Sequence, residues 1–272
     1  MIKDITLGQY FPGKSLIHKL DPRVKVLLTL ANIIFIFIAG NFVSLALMTA
    51  FTIAAILISG VPVTKYLRSI RGVLFIVLFT SVLNLFYGNG TVLFQWGFLQ
   101  ITTGGIRNAI FIAVRIIVLI LSSSVLTYTT SPTQLTDALE RLMKPLKLLR
   151  VQVHEIAMMM TIALRFIPTL LEETEKIMNA QKARGANLES GGLISRIKAL
   201  VPVLIPLFVS SFRRAYDLAM AMECRCYNGG KGRTKMKVLH LTGTDIAVCV
   251  CTAVICAGVV VLNLFPVPYL AI

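Results

Sequence analysis

Apolar residues in this chain are gathered into long runs that carry almost no charge. Five runs are prominent: 26–38, 42–58, 73–86, 106–126 and 246–265. Each is close to the roughly 20 residues that a helix needs to cross ~30 Å of hydrocarbon. The pattern therefore predicts five membrane-spanning helices.

Helix-start signals stand at the edges of several runs. Asp21-Pro22 pairs an N-cap residue with proline at the first helical position. Thr244-Asp245 is suited to cap the last helix, and Gly40-Asn41 leaves room only for a tight turn between the first two spans. These signals predict helices with defined ends, joined by short connections.

The middle of the chain, 131–243, has a different pattern. It opens with Ser-Pro-Thr-Gln at 131–134, the spacing of a capping box. Apolar residues then recur at the spacing of an amphipathic helix. Two longer helical stretches follow, from 151 to about 187 and from about 193 to 227. Each has an apolar first half and a charged second half.

The apolar halves of these two stretches leave an alternative open. They cover 156–171 and 199–212, are interrupted by prolines and are short for spans. If both crossed the membrane, the C-terminus would stay on the same side, but five basic residues would move outside: Lys176, Lys182, Arg184, Arg196 and Lys198. The positive-inside rule therefore favours a cytoplasmic helical unit at the membrane surface.

The segment 91–102 alternates loosely and contains Phe94, Trp96 and Phe98. Aromatic residues are enriched where a membrane meets water. The segment is therefore either an interfacial element on the outer side or an ordinary aromatic-rich loop.

Composition excludes an ordinary soluble domain. The chain is 56% hydrophobic with a mean hydropathy of +0.81, and only 14% of its residues are charged, against about 25% in typical soluble domains. The surplus of apolar residues supports a multi-pass protein of the cell membrane.

The net charge of +15 does not indicate nucleic-acid binding, because the basic residues lie beside the spans. Five precede the first span, three separate the second from the third, and 17 fall in 131–243. The connections 40–41 and 88–105 contain none. Under the positive-inside rule, the N-terminus is expected in the cytoplasm and the C-terminus outside.

The sequence contains no recognisable catalytic or metal site. No phosphate-binding loop occurs, since 229–234 lacks the required spacing. The three histidines are scattered, and the five cysteines form no metal or disulfide framework. Arg115, on the fourth span, is the one candidate for a transport role, and it could face Asn84 or extend its side chain outwards.

Three segments resemble a known family. The first is Phe-Pro-Gly-Lys-Ser-Leu-Ile-His-Lys-Leu-Asp-Pro-Arg-Val-Lys at 11–25, the second Ala-Arg-Gly at 183–185, and the third Ala-Met-Glu-Cys-Arg-Cys-Tyr at 221–227. The chain is similar to the transmembrane T component of energy-coupling factor transporters, which are ABC-type importers of vitamins and micronutrients. With the five spans, the resemblance covers nearly the whole chain.

The resemblance implies a docking role for the ends of two long coupling helices. In the family each helix ends in an Ala-Arg-Gly-like motif that docks on one of two ATP-binding-cassette subunits. The implied docking residues are Ala183, Arg184, Gly185, Glu223 and Arg225. The second motif has cysteine at 224 and 226 in place of alanine and glycine, and Cys226 would hinder a close backbone approach.

The resemblance also implies a non-catalytic chain that binds no cofactor itself, because ATP and magnesium are used by the partner ATPases. Its other partners would be the lipid bilayer and a membrane-embedded, substrate-binding S component, one or several interchangeable. The expected fold is all-α, with four spans in 1–130, the coupling helices in 131–243 and the last span in 244–272.

Two other function classes compete with this reading. A self-contained secondary transporter or channel would need no ATPase and would transport when reconstituted alone. A membrane enzyme is disfavoured because no nucleophile, metal ligands or carboxylates converge in the sequence.

Overall fold

A computed structural model shows a chain built almost entirely of α-helices. The helices are α1 Leu16–Lys19, α2 Pro22–Ile38, α3 Phe42–Ser59, α4 Val63–Leu85, α5 Thr103–Thr129, α6 Pro132–Leu142, α7 Val153–Ala183, α8 Leu193–Cys224 and α9 Gly243–Leu264. The structure describes residues 9–86, 91–96, 99–186, 192–229 and 240–264. The predicted fold class, an all-α polytopic membrane protein, is confirmed.

Two shorter elements join these helices. A 3-10 helix, Lys144–Leu149, lies between α6 and α7. Strands β1 (Val92–Trp96) and β2 (Leu99–Thr102) form an antiparallel hairpin between α4 and α5, with Gln95 opposite Gln100. The aromatic-rich segment 91–102 therefore contains two paired strands.

By length and composition, six helices in the described part of the chain could cross a membrane: α3, α4, α5, α7, α8 from Lys198 onwards, and α9. Four of these match predicted spans. The predicted first span forms α2, whose 17 residues make it one residue shorter than α3. The other two, α7 and α8, are the stretches for which the sequence left spanning open as an alternative.

Helix α4 begins ten residues before the predicted span at 73, so Lys65, Arg68 and Arg71 lie within the helix rather than in a connection. The real connection is only Gly60-Val61-Pro62. Gly60 ends α3 in the left-handed conformation and Pro62 caps α4, so three residues suffice for the turn.

The chain divides into two compact units. Among the described residues, the bundle unit falls within 9–138 and 240–264, and the helix-pair unit within 139–229. The division falls inside α6, whereas the predicted domain boundary precedes it. The expected orientation of the termini stays a prediction, because helix length and composition do not show which side of a membrane each end faces.

Helix α5 is the centre of the bundle unit. It packs against α2, α3 and α4, while α9 packs against α2 and α3. One core cluster joins four helices through buried side chains: Ile36, Ala39, Leu45, Met48, Phe111, Val118 and Val259. A second cluster of Ile56, Val61, Tyr66 and Tyr128 lies at the other end of α3 and α5.

A buried carboxylate links the start of α2 to the start of α9. Asp245 is only 1% exposed and accepts hydrogen bonds from the backbone N–H of Asp21 at 2.9 Å and from Thr242 through both its N–H and its hydroxyl at 2.7 Å. Asp21 in turn caps α2 by accepting from the N–H of Arg23, as predicted. Helix α9 begins at Gly243, one residue before Thr244, so the predicted cap is right for Asp245 and wrong for Thr244: Asp245 lies in the first turn and accepts from the Thr242 N–H, as in a capping box.

The rest of the 11–25 segment is held by equally specific contacts. Ser15 caps α1 and hydrogen-bonds the His18 ring at 2.7 Å, and the other ring nitrogen of His18 lies 2.9 Å from the carbonyl oxygen of Phe11. A side chain at Gly13 would collide with that ring at 2.6 Å. The buried Lys25 donates to the Thr129 carbonyl at 2.9 Å, at the end of α5. Residues 11–25 are therefore joined by hydrogen bonds to the end of α5 and to the start of α9.

We expect Asp245→Ala to destabilise the bundle unit, because three donors would lose a charged acceptor in a buried site. The cost should be on the order of 3 kcal/mol, which lowers the Tm by roughly 6–12 °C at the ~2–4 °C per kcal/mol of a chain this size. Thermal unfolding of purified protein in detergent measures it. The matched control is Asp217→Ala on the exposed side of α8; equal losses in both variants would contradict the role assigned to Asp245.

Candidate functional site

The two longest helices, α7 with 31 residues and α8 with 32, form an antiparallel pair. Glu173 of α7 hydrogen-bonds Ser210 of α8, and Gln181 hydrogen-bonds the carbonyl oxygen of Pro202. A step of eight residues forward along α7 therefore corresponds to eight residues backward along α8. The first half of α7 lies beside the second half of α8.

The pairing is fixed by an ion pair near the middle of both helices. One Glu173 oxygen accepts from the Ser210 hydroxyl at 2.5 Å, and the other accepts from the Arg214 guanidinium. Ser210 and Arg214 are four residues apart and so lie on the same face of α8. Sequence reasoning missed this cluster, because Glu173 is one of several charged residues in the polar half of α7.

Pro206 explains the second contact. Proline has no N–H to donate to the carbonyl four residues earlier in a helix. Pro206 therefore leaves the carbonyl of Pro202 free, and the Gln181 side chain donates to it at 3.3 Å. The position of Pro206 alone predicts a free carbonyl at 202, but the sequence does not identify the donor to that carbonyl.

Helix α7 ends in a regular capping motif around Arg184. Arg184 is the C-cap, Gly185 has φ of 87° and donates to the carbonyl of Lys182, and Ala186 donates to the carbonyl of Gln181 at 2.9 Å. These are the two backbone bonds of a Schellman motif. Glycine is favoured at this left-handed position because it lacks a Cβ atom.

Helix α8 ends in the same motif. Arg225 is the C-cap, Cys226 donates to the carbonyl of Glu223 at 2.8 Å, and Tyr227 donates to the carbonyl of Met222 at 3.0 Å. Cys226 has φ of 54°, so it takes the left-handed position that Gly185 takes in α7. The cysteine alters the chemistry of this end but not its backbone geometry.

The five residues expected at the site lie at two separate helix ends: Ala183, Arg184, Gly185, Glu223 and Arg225. All five are exposed. In the part of the chain that the structure describes, neither Arg184 nor Arg225 has a side-chain partner. Because the helices are antiparallel, Arg184 lies near position 199 of α8, about 39 Å along the helix from Arg225 at ~1.5 Å per residue. The structure therefore does not bring the two arginines together.

Arg115 does not occupy either position that the sequence suggested. Its guanidinium donates to the carbonyl oxygen of Ala39, which ends α2, and lies 4.5 Å from the centre of the Phe111 ring. Asn84 instead donates to the carbonyl of Thr80 on its own helix. A cation at a helix C-terminus is stabilised by the exposed carbonyls there, so Arg115 joins α5 to α2.

Groups of three or more His, Cys, Asp or Glu that could hold a metal ion are absent from the described residues. His154 pairs with Glu140 at 3.2 Å, which joins α6 to α7. The glycine-rich run at 229–234 lies, except for Gly229, outside the described residues.

The chain is similar to proteins of known family along almost its whole length. The model of the cobalt transport protein family, CbiQ, matches residues 13–236, which include both motif-bearing helix ends. The energy-coupling factor transporter transmembrane protein EcfT of Ruminiclostridium cellulolyticum is 53% identical, over 97% of this chain and 98% of its own length. The EcfT proteins of Clostridium kluyveri (53% identical, 94% and 95% covered) and Bacillus subtilis (46%, 94% and 97%) are also similar.

We expect the antiparallel register to be visible by cross-linking. Phe166 of α7 and Leu218 of α8 line the same groove. In a cysteine-free background, Phe166→Cys with Leu218→Cys should therefore be joined by a short bifunctional thiol reagent. The control pair Phe166→Cys with Leu204→Cys should not react, because position 204 is ~21 Å further along α8. Cross-linking of the control pair alone would show a different register.

Cys226 should tolerate glycine but not valine. Any residue with a Cβ atom is strained in the left-handed conformation, and a β-branched residue more than cysteine. For a further cost of about 1 kcal/mol, Cys226→Val should open the end of α8 roughly 5-fold more often at ~1.4 kcal/mol per decade. Hydrogen exchange of the peptide that covers 222–229 measures this opening. Cys224→Val, within the regular helix, is the control; equal exchange in the two valine variants would contradict the motif.

Proposed function

Because this chain belongs to the family of energy-coupling factor transporter transmembrane proteins, we propose that it is the coupling subunit of an ATP-driven importer. It has no catalytic role of its own. Two ATP-binding-cassette subunits hydrolyse ATP with magnesium, and this chain passes their movement to a membrane-embedded S component that binds the vitamin or other micronutrient. The chain itself binds no cofactor.

The observation that carries this proposal is the presence of two matching helix ends. Each presents an exposed arginine at the C-cap of a Schellman motif, about 39 Å from the other. A guanidinium can form two parallel hydrogen bonds to a carboxylate. Two such ends at opposite ends of one helix pair suit two ATPase subunits, each with a carboxylate in its docking groove.

The pairing of α7 with α8 suits the transmission of force. Glu173, Ser210 and Arg214 join the helices between the two docking ends, so a displacement of one end has to move the other helix. When ATP draws the two ATPases together, both helix ends are carried with them. The pair then changes its angle as a unit, and this movement reaches the S component.

An apolar face of α8 supports the assignment of a membrane-embedded partner. Leu204, Ile205, Phe208 and Phe212 are each more than half exposed. Such a face is unstable in water and is covered by lipid or by another membrane protein.

In the proposed topology the N-terminus and both docking ends are cytoplasmic, and the C-terminus is extracellular.

A self-contained secondary transporter remains the competing function. Such carriers use ionisable or unwound intramembrane sites. The candidate for that role is Arg115. Its guanidinium donates to the carbonyl oxygen of Ala39 at the end of α2 and stacks over the Phe111 ring, which favours a packing role. Substrate uptake by the chain reconstituted alone would support the carrier instead.

We expect Arg184→Glu and Arg225→Glu each to weaken assembly, because a partner carboxylate would be left unpaired and repelled. Loss of one side of a buried charge pair costs on the order of 2–5 kcal/mol, or about 30-fold or more in affinity at ~1.4 kcal/mol per decade. The double variant should capture neither ATPase. The measurements are capture of both ATPases from detergent extracts and substrate uptake by the same cells.

Arg213→Glu is the matched control, since Arg213 is exposed on α8 but does not lie at its end. It should assemble like the unmodified chain. Thermal unfolding of every variant separates loss of docking from loss of folding. Normal assembly and uptake in the Arg184→Glu, Arg225→Glu double variant would refute the docking assignment.

A further inference from the structure

The turn between α6 and α7 presents leucines outwards. Residues 144–150, here named the leucine turn, contain the 3-10 helix Lys144–Leu149. Leu148 is 89% exposed, Leu149 75% and Leu146 40%. The backbone is nevertheless hydrogen-bonded, since Leu146 donates to the carbonyl of Met143 at 2.9 Å and accepts from the N–H of Val151 at 3.4 Å. The leucines are therefore held outwards by an ordered turn.

Basic residues alternate with these leucines. Lys144 and Arg150 are exposed at the two ends of the turn, Lys147 lies between them in the sequence, and 144–150 contains no acidic residue. Arg150 has φ of 62°, a strained conformation for a residue with a side chain. This left-handed residue follows the last residue of the 3-10 helix, Leu149, and the bond from Val151 to Leu146 spans it.

Adjacent leucines flanked by cations match the chemistry of a bilayer surface. Apolar side chains enter the boundary between headgroups and acyl chains, while cations bind anionic headgroups. Connectivity also favours a membrane, because only α6, ~17 Å long at ~1.5 Å per residue, separates the turn from the apolar helix α5. A groove on a protein would have to supply acidic residues around an apolar pocket, whereas an anionic leaflet has both features everywhere.

We propose that the leucine turn docks on the surface of a bilayer that contains anionic lipids, with Leu148 and Leu149 in the acyl boundary and Lys144 and Arg150 on headgroup phosphates. The turn lies immediately before α7 and so anchors the start of the helix pair at the membrane. This anchoring does not depend on the docking of any ATPase.

The test uses the full chain in nanodiscs, with its cysteines replaced and Leu148→Cys carrying an environment-sensitive fluorophore. The discs contain phosphatidylcholine alone or phosphatidylcholine with phosphatidylglycerol. Quenching by lipids that are spin-labelled near the headgroup is compared with quenching by aqueous iodide. Leu149→Cys gives a second reporter if the first variant does not fold, and Asn228→Cys, exposed after the end of α8, is the aqueous control.

In anionic discs we expect lipid quenching at 148 or 149 and iodide quenching at 228. Lys144→Gln with Arg150→Gln should lower the ratio of inserted to exposed label roughly 30-fold, from the ~1 kcal/mol that each cation contributes near an anionic surface at ~1.4 kcal/mol per decade. Iodide access at 148 equal to that at 228 would overturn the proposal. If the label at 148 is protected from iodide only when ATPases or another membrane protein are added, the proposal would equally be overturned, in favour of a protein partner.

Discussion

The antiparallel pairing of α7 and α8 is the constraint on which the functional interpretation depends. Glu173 accepts from both Ser210 and Arg214, and the freed carbonyl of Pro202 accepts from Gln181. These contacts place the C-terminus of each helix at the opposite end of the pair. Two helices paired in parallel would bring both arginines to one place, where a single partner could bind them. The antiparallel pair instead holds the two arginines about 39 Å apart, as the proposed docking on two separate partners requires.

The residues that carry the family resemblance fall into two physical classes. In 11–25, the polar groups bond to other parts of the chain. Asp21 caps α2 and donates through its N–H to Asp245, and Lys25 donates to the carbonyl of Thr129 at the end of α5. They build the bundle. Arg184 and Arg225, by contrast, are exposed at well-formed helix ends and have no side-chain partner among the described residues. A motif whose polar group is unused inside the chain is suited to a contact outside it.

Local features were predictable from the sequence because they depend on residues close together in the chain. The Asp21-Pro22 cap, the capping box at Ser131 and Gln134, and the all-α polytopic class follow from spacing and apolar run length. Contacts between distant residues were not predictable. The Glu173–Arg214 ion pair and the bond from Arg115 to Ala39 each depend on how helices pack, and many charged residues compete for each role.

The direct test of the central claim is to count the ATPase chains that one copy of this protein binds through its two helix ends. Photo-reactive residues at positions 184 and 225, introduced singly and together, would be activated in the assembled membrane complex. Each single variant is expected to capture one ATPase chain, and the double variant two chains on one copy. If the double variant never captures more than one ATPase chain, although both single variants react, the two helix ends do not dock on separate subunits.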